Sequence, residues 1–261
     1  MNTATSEFSR ERPFPSRFVL AALGLGACAL TVMSGCQSTH SHSSGSGHGA
    51  SVQSVLTAEA QKALTPAQVV ADLKAGNARF VANKPTNFDY LAQVRGTAEG
   101  QHPKAVVLSC LDSRVPPEIV FDQGIGDIFV GRVAGNFENT DLLGSMEFAT
   151  ALAGAKAIVV LGHTHCGAIK GAADDAKLGN LTETLANIKP AVEAAKARFP
   201  QGPHTSKNAG FVEAIVEENV RITVRNITDR SPVLAERVAK GELVVVGGVY
   251  DLATGSIQWF N

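Results

Sequence analysis

The chain has 261 residues, room for one large domain or two small ones, and 44 % of them are hydrophobic, which suits a globule with a sizeable core. Its 23 Lys and Arg against 24 Asp and Glu leave a net charge of −1. No basic surface therefore argues for nucleic acid, and no long acidic run argues for disorder.

Residues 1–36 read as a targeting segment. Arg10, Arg12 and Arg17 precede an apolar or small run from Phe18 to Met33. That run is short for a membrane span, and a cleavage-like site follows it. Met33-Ser34-Gly35-Cys36 resembles a bacterial lipobox, with Met33 where Leu is usual. The expectation is export to the periplasm or cell envelope, with a lipid anchor on Cys36. Residues 37–56 are rich in Ser, Gly and His, cannot bury a core, and read as a flexible tether. His40, His42 and His48 read as part of that solvated spacer rather than as a metal site. A folded domain is expected over 57–261.

Thr65-Pro66-Ala67-Gln68 opens a helix, with Thr65 as N-cap, Pro66 at the first position and Gln68 at the third. Val69, Val70, Leu73, Phe80 and Val81 form its apolar side. Residues 83–100 are polar and turn-rich, with a short helix near Leu91–Arg95. Lys104–Ser109 is a first buried strand ending at Cys110. Val115-Pro116-Pro117 forces an extended turn, and Glu118–Phe121 reads as a helical turn. Asp127–Val133 is a second strand. A helix opens at Asn139 or Thr140 and runs to Leu152, with Gly144, Ser145, Ala149 and Ala153 expected to pack closely on the sheet. Ala155–Leu161 is a third strand, and Gly167–Ala173 a short helix.

Two more helices are expected over 182–199, broken or kinked at Pro190, and over 206–228. In the latter, Val212, Val216, Val220, Val224 and Ile227 form a core stripe, and Glu217 and Arg221 an i,i+4 pair. Ser231-Pro232 opens a last helix ending at Lys240-Gly241. Residues 242–250 form a fourth strand, Thr254-Gly255 a turn, and 256–260 an edge strand. The alternation predicts an α/β fold: a mostly parallel central sheet of four strands plus an antiparallel edge strand, flanked by helices.

Two motifs follow buried strands: Cys110-Leu111-Asp112-Ser113-Arg114 and His163-Thr164-His165-Cys166. Open α/β sheets place ligand sites at the carboxyl ends of their strands. Two thiolates and one imidazole among these residues favour zinc over magnesium or calcium. Three protein ligands leave a fourth corner for water, whose pKa the cation lowers from ~15.7 toward ~7. An Arg114 fork can hold Asp112 ionised as a pure acceptor, able to take the proton of the nucleophile and aim its lone pair. Backbone N–H groups near Gly167, at a helix start, can face a bound ligand.

The double motif, with Phe121-Asp122-Gln123-Gly124, Arg132-Val133-Ala134-Gly135-Asn136 and Tyr250-Asp251-Leu252-Ala253-Thr254-Gly255, resembles the β-class carbonic anhydrases from about Thr65 to the C-terminus. The resemblance makes 57–261 the catalytic domain. It implies one Zn2+ per subunit on Cys110, His163 and Cys166, and reversible hydration of carbon dioxide to bicarbonate and a proton by a zinc-bound hydroxide that Asp112 and Arg114 orient. It implies that Gln101 and Phe129 line the carbon dioxide pocket. It further implies a homodimer with active sites at the interface, in some members paired into a tetramer, with N-terminal helices packed on the neighbour. Phe148 stands where many relatives carry Tyr. Val107 stands where the bicarbonate-regulated subclass carries Trp, which points to the unregulated subclass. His165 has no assigned role. His102 and His204 read as surface or structural residues, Asp122 and Asp127 as structural, and Arg132 and Asn136 as supports of the site or interface. Three alternatives stay open: a carbonyl sulfide or carbon disulfide hydrolase on the same scaffold, a non-catalytic zinc-binding or redox lipoprotein, and a Cys110–Cys166 disulfide.

Overall fold

The computed structural model describes residues 55–260. The targeting segment and nearly all of the tether lie outside the described residues. Among the described residues no helix is long and apolar enough to cross a membrane.

One five-stranded sheet organises the domain. Its strands are β1 (Ala105–Ser109), β2 (Ile128–Arg132), β3 (Ala157–His163), β4 (Val244–Tyr250) and β5 (Ile257–Phe260), in the order β2-β1-β3-β4-β5. All neighbours are parallel except the β4–β5 edge pair, as expected. β1 and β3 are buried along their whole length, which is why both read as continuous apolar runs. Their register pairs Ser109 with Leu161, so the residues just past both strands meet at the centre of one sheet edge.

Alternation along the strands sends side chains to opposite faces. Val107, Val159 and Leu161 pack with Val69 and Leu73 of α2 (Pro66–Val81) and with Phe121. Val106, Leu108, Ile158 and Val160 pack on the other face. Their partners are Val220 and Ile227 of α9 (Ala209–Arg230), Leu234 of α10 (Pro232–Ala239), and Leu143 and Met146 of α5 (Thr140–Glu147). The α9 stripe is core: Val212, Val216, Val220 and Ile227 are all buried. Glycines let α9 lie close to the sheet, because a Cβ on Gly162 or on Gly247 would come within 2.6 Å of a Val220 methyl. A third cluster joins α6 (Gly167–Ala173), α7 (Gly179–Ala186), α8 (Lys189–Arg198) and the first half of α9 to Cys110 and Cys166.

Local chemistry fixes the ends. Thr65 and Gln68 form the anticipated capping box. Ser231 accepts from the Leu234 N–H at the start of α10. Several elements differ from expectation. A short helix, α1 (Ala58–Ala63), precedes α2 where none was expected, whereas α3 (Tyr90–Gly96) and α4 (Pro117–Val120) match the expected short helix and helical turn. The helix after Asn139 is not uniform: α5 gives way to a π-helical segment, Phe148–Leu152. Leu143, Met146 and Ala149 face inward, whereas Gly144 and Ser145 are exposed, so those two small residues do not serve close packing on the sheet. The segment expected over 182–199 is broken into two helices, one of the two expected outcomes at Pro190, which lies in the first turn of α8. Glu217 does not pair with Arg221. It meets Arg198 of α8 at 3.2 Å, and Arg221 stacks over the Phe260 ring at 4.1 Å.

Candidate metal centre

Cys110 follows β1 directly, and His163 is the last residue of the adjacent strand β3. The chain then turns through His165 in the left-handed region (φ 56°) and places Cys166 as the N-cap of α6. The turn is tied to the end of β4: Thr164 N–H donates to the Tyr250 carbonyl at 3.0 Å, and Leu252 N–H donates to Thr164 Oγ1 at 3.0 Å.

Cys110, His163 and Cys166 are buried, and their candidate ligand atoms all lie within 4.8 Å of one another. His163 Nδ1 lies 2.9 Å from the Thr164 carbonyl. A carbonyl only accepts, so Nδ1 carries the proton and Nε2 has a free lone pair. That Nε2 is buried and has no hydrogen-bond partner among the described residues. The two sulfurs are 4.0 Å apart. Tetrahedral zinc with Zn–S of about 2.3 Å separates two sulfurs by about 3.8 Å, so the trio fits zinc. A disulfide needs about 2.05 Å, and both cysteines are free thiols.

The sulfurs favour a shared cation electrostatically as well. Cys110 is drawn down to about 4, chiefly by its hydrogen bond with Cys166 and against its burial. Cys166 is pushed up by that same bond and by burial, although the Ile169 and Ala168 N–H groups oppose the shift. Two thiolates this close ionise together only with positive charge between them. Gly135 N–H also donates to Cys110 Sγ at 3.4 Å.

Asp112 stands beside the trio, with Oδ2 3.8 Å from His163 Nε2. Arg114 grips it as a fork: Nε donates to Oδ1 at 2.9 Å, Nη2 to Oδ2 at 2.7 Å, and the Arg114 N–H to Oδ1 at 3.0 Å. The Arg114 side chain holds the Asp112 carboxyl well below the usual carboxylate range, outweighing partial burial. Arg132 braces the same loop from β2, donating Nε to the Cys110 carbonyl at 3.0 Å and Nη2 to the Asp112 carbonyl at 2.5 Å. Asn136 is buried, and its Nδ2 has no hydrogen-bond partner among the described residues.

A cavity of about 220 Å³ opens here, bounded by Cys110, Leu111, Asp112, Ala134, Gly167, Ala168, Leu181 and Leu185. Gly167 borders it as expected, and a Cβ there would meet nothing. Gln101 and Phe129 do not border it within one chain. Gln101 is exposed ahead of β1. Phe129 sits in register with Val106, four residues and roughly 13 Å back along the sheet from Cys110. It packs edge-on against the exposed Phe148 at 6.2 Å in a separate groove of about 670 Å³.

The other singled-out residues sort by contact. Asp122 pairs with Arg79 at 2.6 Å, and Asp127 accepts from Gly124 N–H at 2.8 Å, both as structural anchors. The His204 ring packs on Phe211 at 5.0 Å, and Val107 is core. Sequence reasoning missed the Gly135 N–H on Cys110. Its one signal was a glycine in a turn between a strand and a helix, which many loops share.

Two cysteines and a histidine at the carboxyl edge of an α/β sheet, with a clamped carboxylate alongside, define a catalytic type of zinc centre. A family model described as carbonic anhydrase matches residues 105–257. Carbonic anhydrase 2 of Mycobacterium tuberculosis is 39 % identical over 184 residues, covering 70 % of this chain and 87 % of that protein. The carbonic anhydrase of Mycolicibacterium smegmatis is 37 % identical over 189 residues, covering 71 % and 89 %. Among solved structures, the β-carbonic anhydrase CafA of Aspergillus fumigatus aligns with a TM-score of 0.60 at 26 % identity, covering 75 % of this chain and 90 % of that one. The chain belongs to the carbonic anhydrase family, in its β class, and is a zinc enzyme that interconverts carbon dioxide and bicarbonate.

Proposed function

We propose that this carbonic anhydrase works through Cys110, His163 and Cys166 as zinc ligands and through Asp112, held by Arg114, as the group that orients the attacking oxygen. The observation that carries this is the Arg114 fork, which keeps Asp112 ionised 3.8 Å from the bare nitrogen of His163. Zinc, when bound, supplies a nucleophile from water at neutral pH. Asp112, with no proton of its own, accepts a hydrogen bond from that oxygen and so turns its lone pair toward the substrate. Arg114 occupies both carboxylate oxygens, which keeps Asp112 off the metal. Gly167, the first residue of α6, borders the cavity on the substrate side. Ala134, Ala168 and Leu181 give a small, nonpolar, linear molecule an apolar wall.

In this reading Gln101 and Phe129 serve the cavity of a second copy, within a homodimer or a pair of dimers. Supporting this are the open β2 edge, the groove beside it, and Phe148 and Leu152 exposed at 53 % and 78 %. The N-terminal 36 residues direct export, and Cys36 carries the lipid that tethers residues 57–261 to the envelope through 37–56. The support is Arg10, Arg12 and Arg17 before an apolar run ending in Met33-Ser34-Gly35-Cys36. Changing Cys36→Ala then moves the protein from the membrane to the soluble fraction.

Parallel turnover assays of zinc-loaded full chain on carbon dioxide and carbonyl sulfide test the function. Fast carbon dioxide hydration with slow carbonyl sulfide hydrolysis is expected. The reverse preference makes the protein a hydrolase of the sulfur compounds, and tight zinc binding without turnover of either makes it a zinc-binding lipoprotein.

A further inference from the structure

Asn219 lies midway along α9, 3 % exposed, among the valines of the core stripe. An amide there is a poor helix former and costs stability unless hydrogen-bonded. Its Nδ2 donates to the Gly135 carbonyl at 2.7 Å, across 84 residues of sequence. Gly135 is the third residue of a tight turn: the Asn136 N–H donates to the Val133 carbonyl at 3.1 Å, and Gly135 has φ +90°. That is the glycine position of a type II turn. The N–H of the same Gly135 lies 3.4 Å from Cys110 Sγ.

We propose that Asn219 is a positioning residue of the zinc centre. Its amide pins the carbonyl of Gly135 so that the N–H of Gly135 stays on the Cys110 thiolate. A glycine is free to swing the peptides on either side of it, and the Gly135–Asn136 peptide is held at its N–H by the Val133 carbonyl and at its carbonyl by Asn219. Fixing one peptide from α9 fixes the direction of the other. The N–H···S bond draws electron density from the sulfur and holds its orientation, the kind of outer contact that tunes a metal ligand. Asn219 thus links the long helix to a ligand it does not touch. Behind the turn Asn219 borders a cavity of about 260 Å³ together with Glu138 and Thr223, so a shortened side chain at 219 opens onto existing space.

The inference rests on the zinc assignment, and the test separates the two. Full-length wild type, Asn219→Ala and Thr223→Val are compared for zinc affinity, by competition with a chromophoric chelator, and for the thiolate-to-metal charge-transfer band of the cobalt-substituted protein. Thr223 borders the same cavity and does not bond Gly135, so it controls for general loosening of α9. Asn219→Ala is expected to bind zinc about 10–100-fold more weakly and to shift the band, while Thr223→Val stays with wild type on both. Wild-type affinity and band in folded Asn219→Ala, or an equal change in Thr223→Val, overturn the proposal. A wild type that holds no zinc overturns the zinc assignment and this inference with it. Should Asn219→Ala not fold, the same two readouts on Asn219→Ser decide. Failure of both to fold makes Asn219 a residue of the fold alone and overturns the positioning role.

Discussion

Adding one methyl at Gly162 asks whether the spacing between α9 and the sheet sets the place of His163. A Cβ there would lie 2.6 Å from Val220 Cγ2 and 3.3 Å from Val216 Cγ1. Carbon atoms in good contact sit about 3.5–4.0 Å apart, so Val220 has to yield by about 1 Å. Val220 is completely buried. Overpacking of this kind costs about 1–3 kcal/mol. Replacing glycine in a strand returns about 0.5–1 kcal/mol. The net loss for Gly162→Ala should therefore be roughly 0–2.5 kcal/mol. Val220→Ala alone costs roughly 2 kcal/mol or more, as a buried truncation. Because the new methyl takes part of the space that Val220 vacates, the double variant should be more stable than the sum by about 1–2 kcal/mol. Guanidinium unfolding of the four zinc-loaded proteins, with unchanged denaturant slopes, measures the cycle. Zinc content should fall in Gly162→Ala and recover in the double variant. Additivity within about 0.3–0.5 kcal/mol would show that helix and sheet are not in limiting contact at this point.

Arg114→Ala should lower turnover about 10–100-fold while zinc stays bound, because the fork orients Asp112 without touching the ligands. Equal loss of zinc and activity on metal analysis counts against that role. Asp122 is buried, which works to raise its pKa, but Arg79 and Thr86 outweigh burial and hold it below the usual 3.8. Its folded-state pKa is thus depressed, so its stabilisation is present above the unfolded value and lost as pH falls through the folded one. Asp122→Asn should be less stable than wild type near neutrality, with the gap closing below 3.8 in urea midpoints. A gap independent of pH refutes the linkage. Stripping zinc with a chelator should leave the sulfurs, 4.0 Å apart, open to oxidation to a disulfide by a mild thiol oxidant, while the loaded protein resists. Mass spectrometry under non-reducing conditions reads the difference, and equal oxidation of both forms argues that the metal does not occupy the thiols.

The parts of this fold written in local patterns were legible in advance. β1 and β3 are unbroken apolar runs, and Thr65 and Ser231 announce their helices through their own caps. The two motifs named the metal-binding trio because ligand chemistry depends on residue type. What stayed hidden depends on partners distant in sequence. Glu217 has Arg221 one turn away, yet it takes Arg198, because α8 runs alongside α9. The π-helical segment after Glu147 arises in a run whose composition reads as an ordinary helix. Gly144 and Ser145 were small enough to pack on the sheet and instead face outward, since residue size does not tell direction. Gln101 and Phe129 matched by motif, but register puts Phe129 at the other end of β2 from Cys110.

The contact between Gly135 and Ile188 reaches beyond its size. A Cβ on Gly135 would come 2.5 Å from Ile188 Cδ1, so the junction between α7 and α8 is pressed directly on the turn that feeds Cys110 its hydrogen bond. That junction carries no motif, and anyone redesigning the enzyme would treat it as free for loop grafting or insertion. Its outer surface is free in that sense. A graft that shifts position 188 even slightly would be paid for at the metal, so the residue to preserve first in any such chimera is an isoleucine with no chemistry of its own.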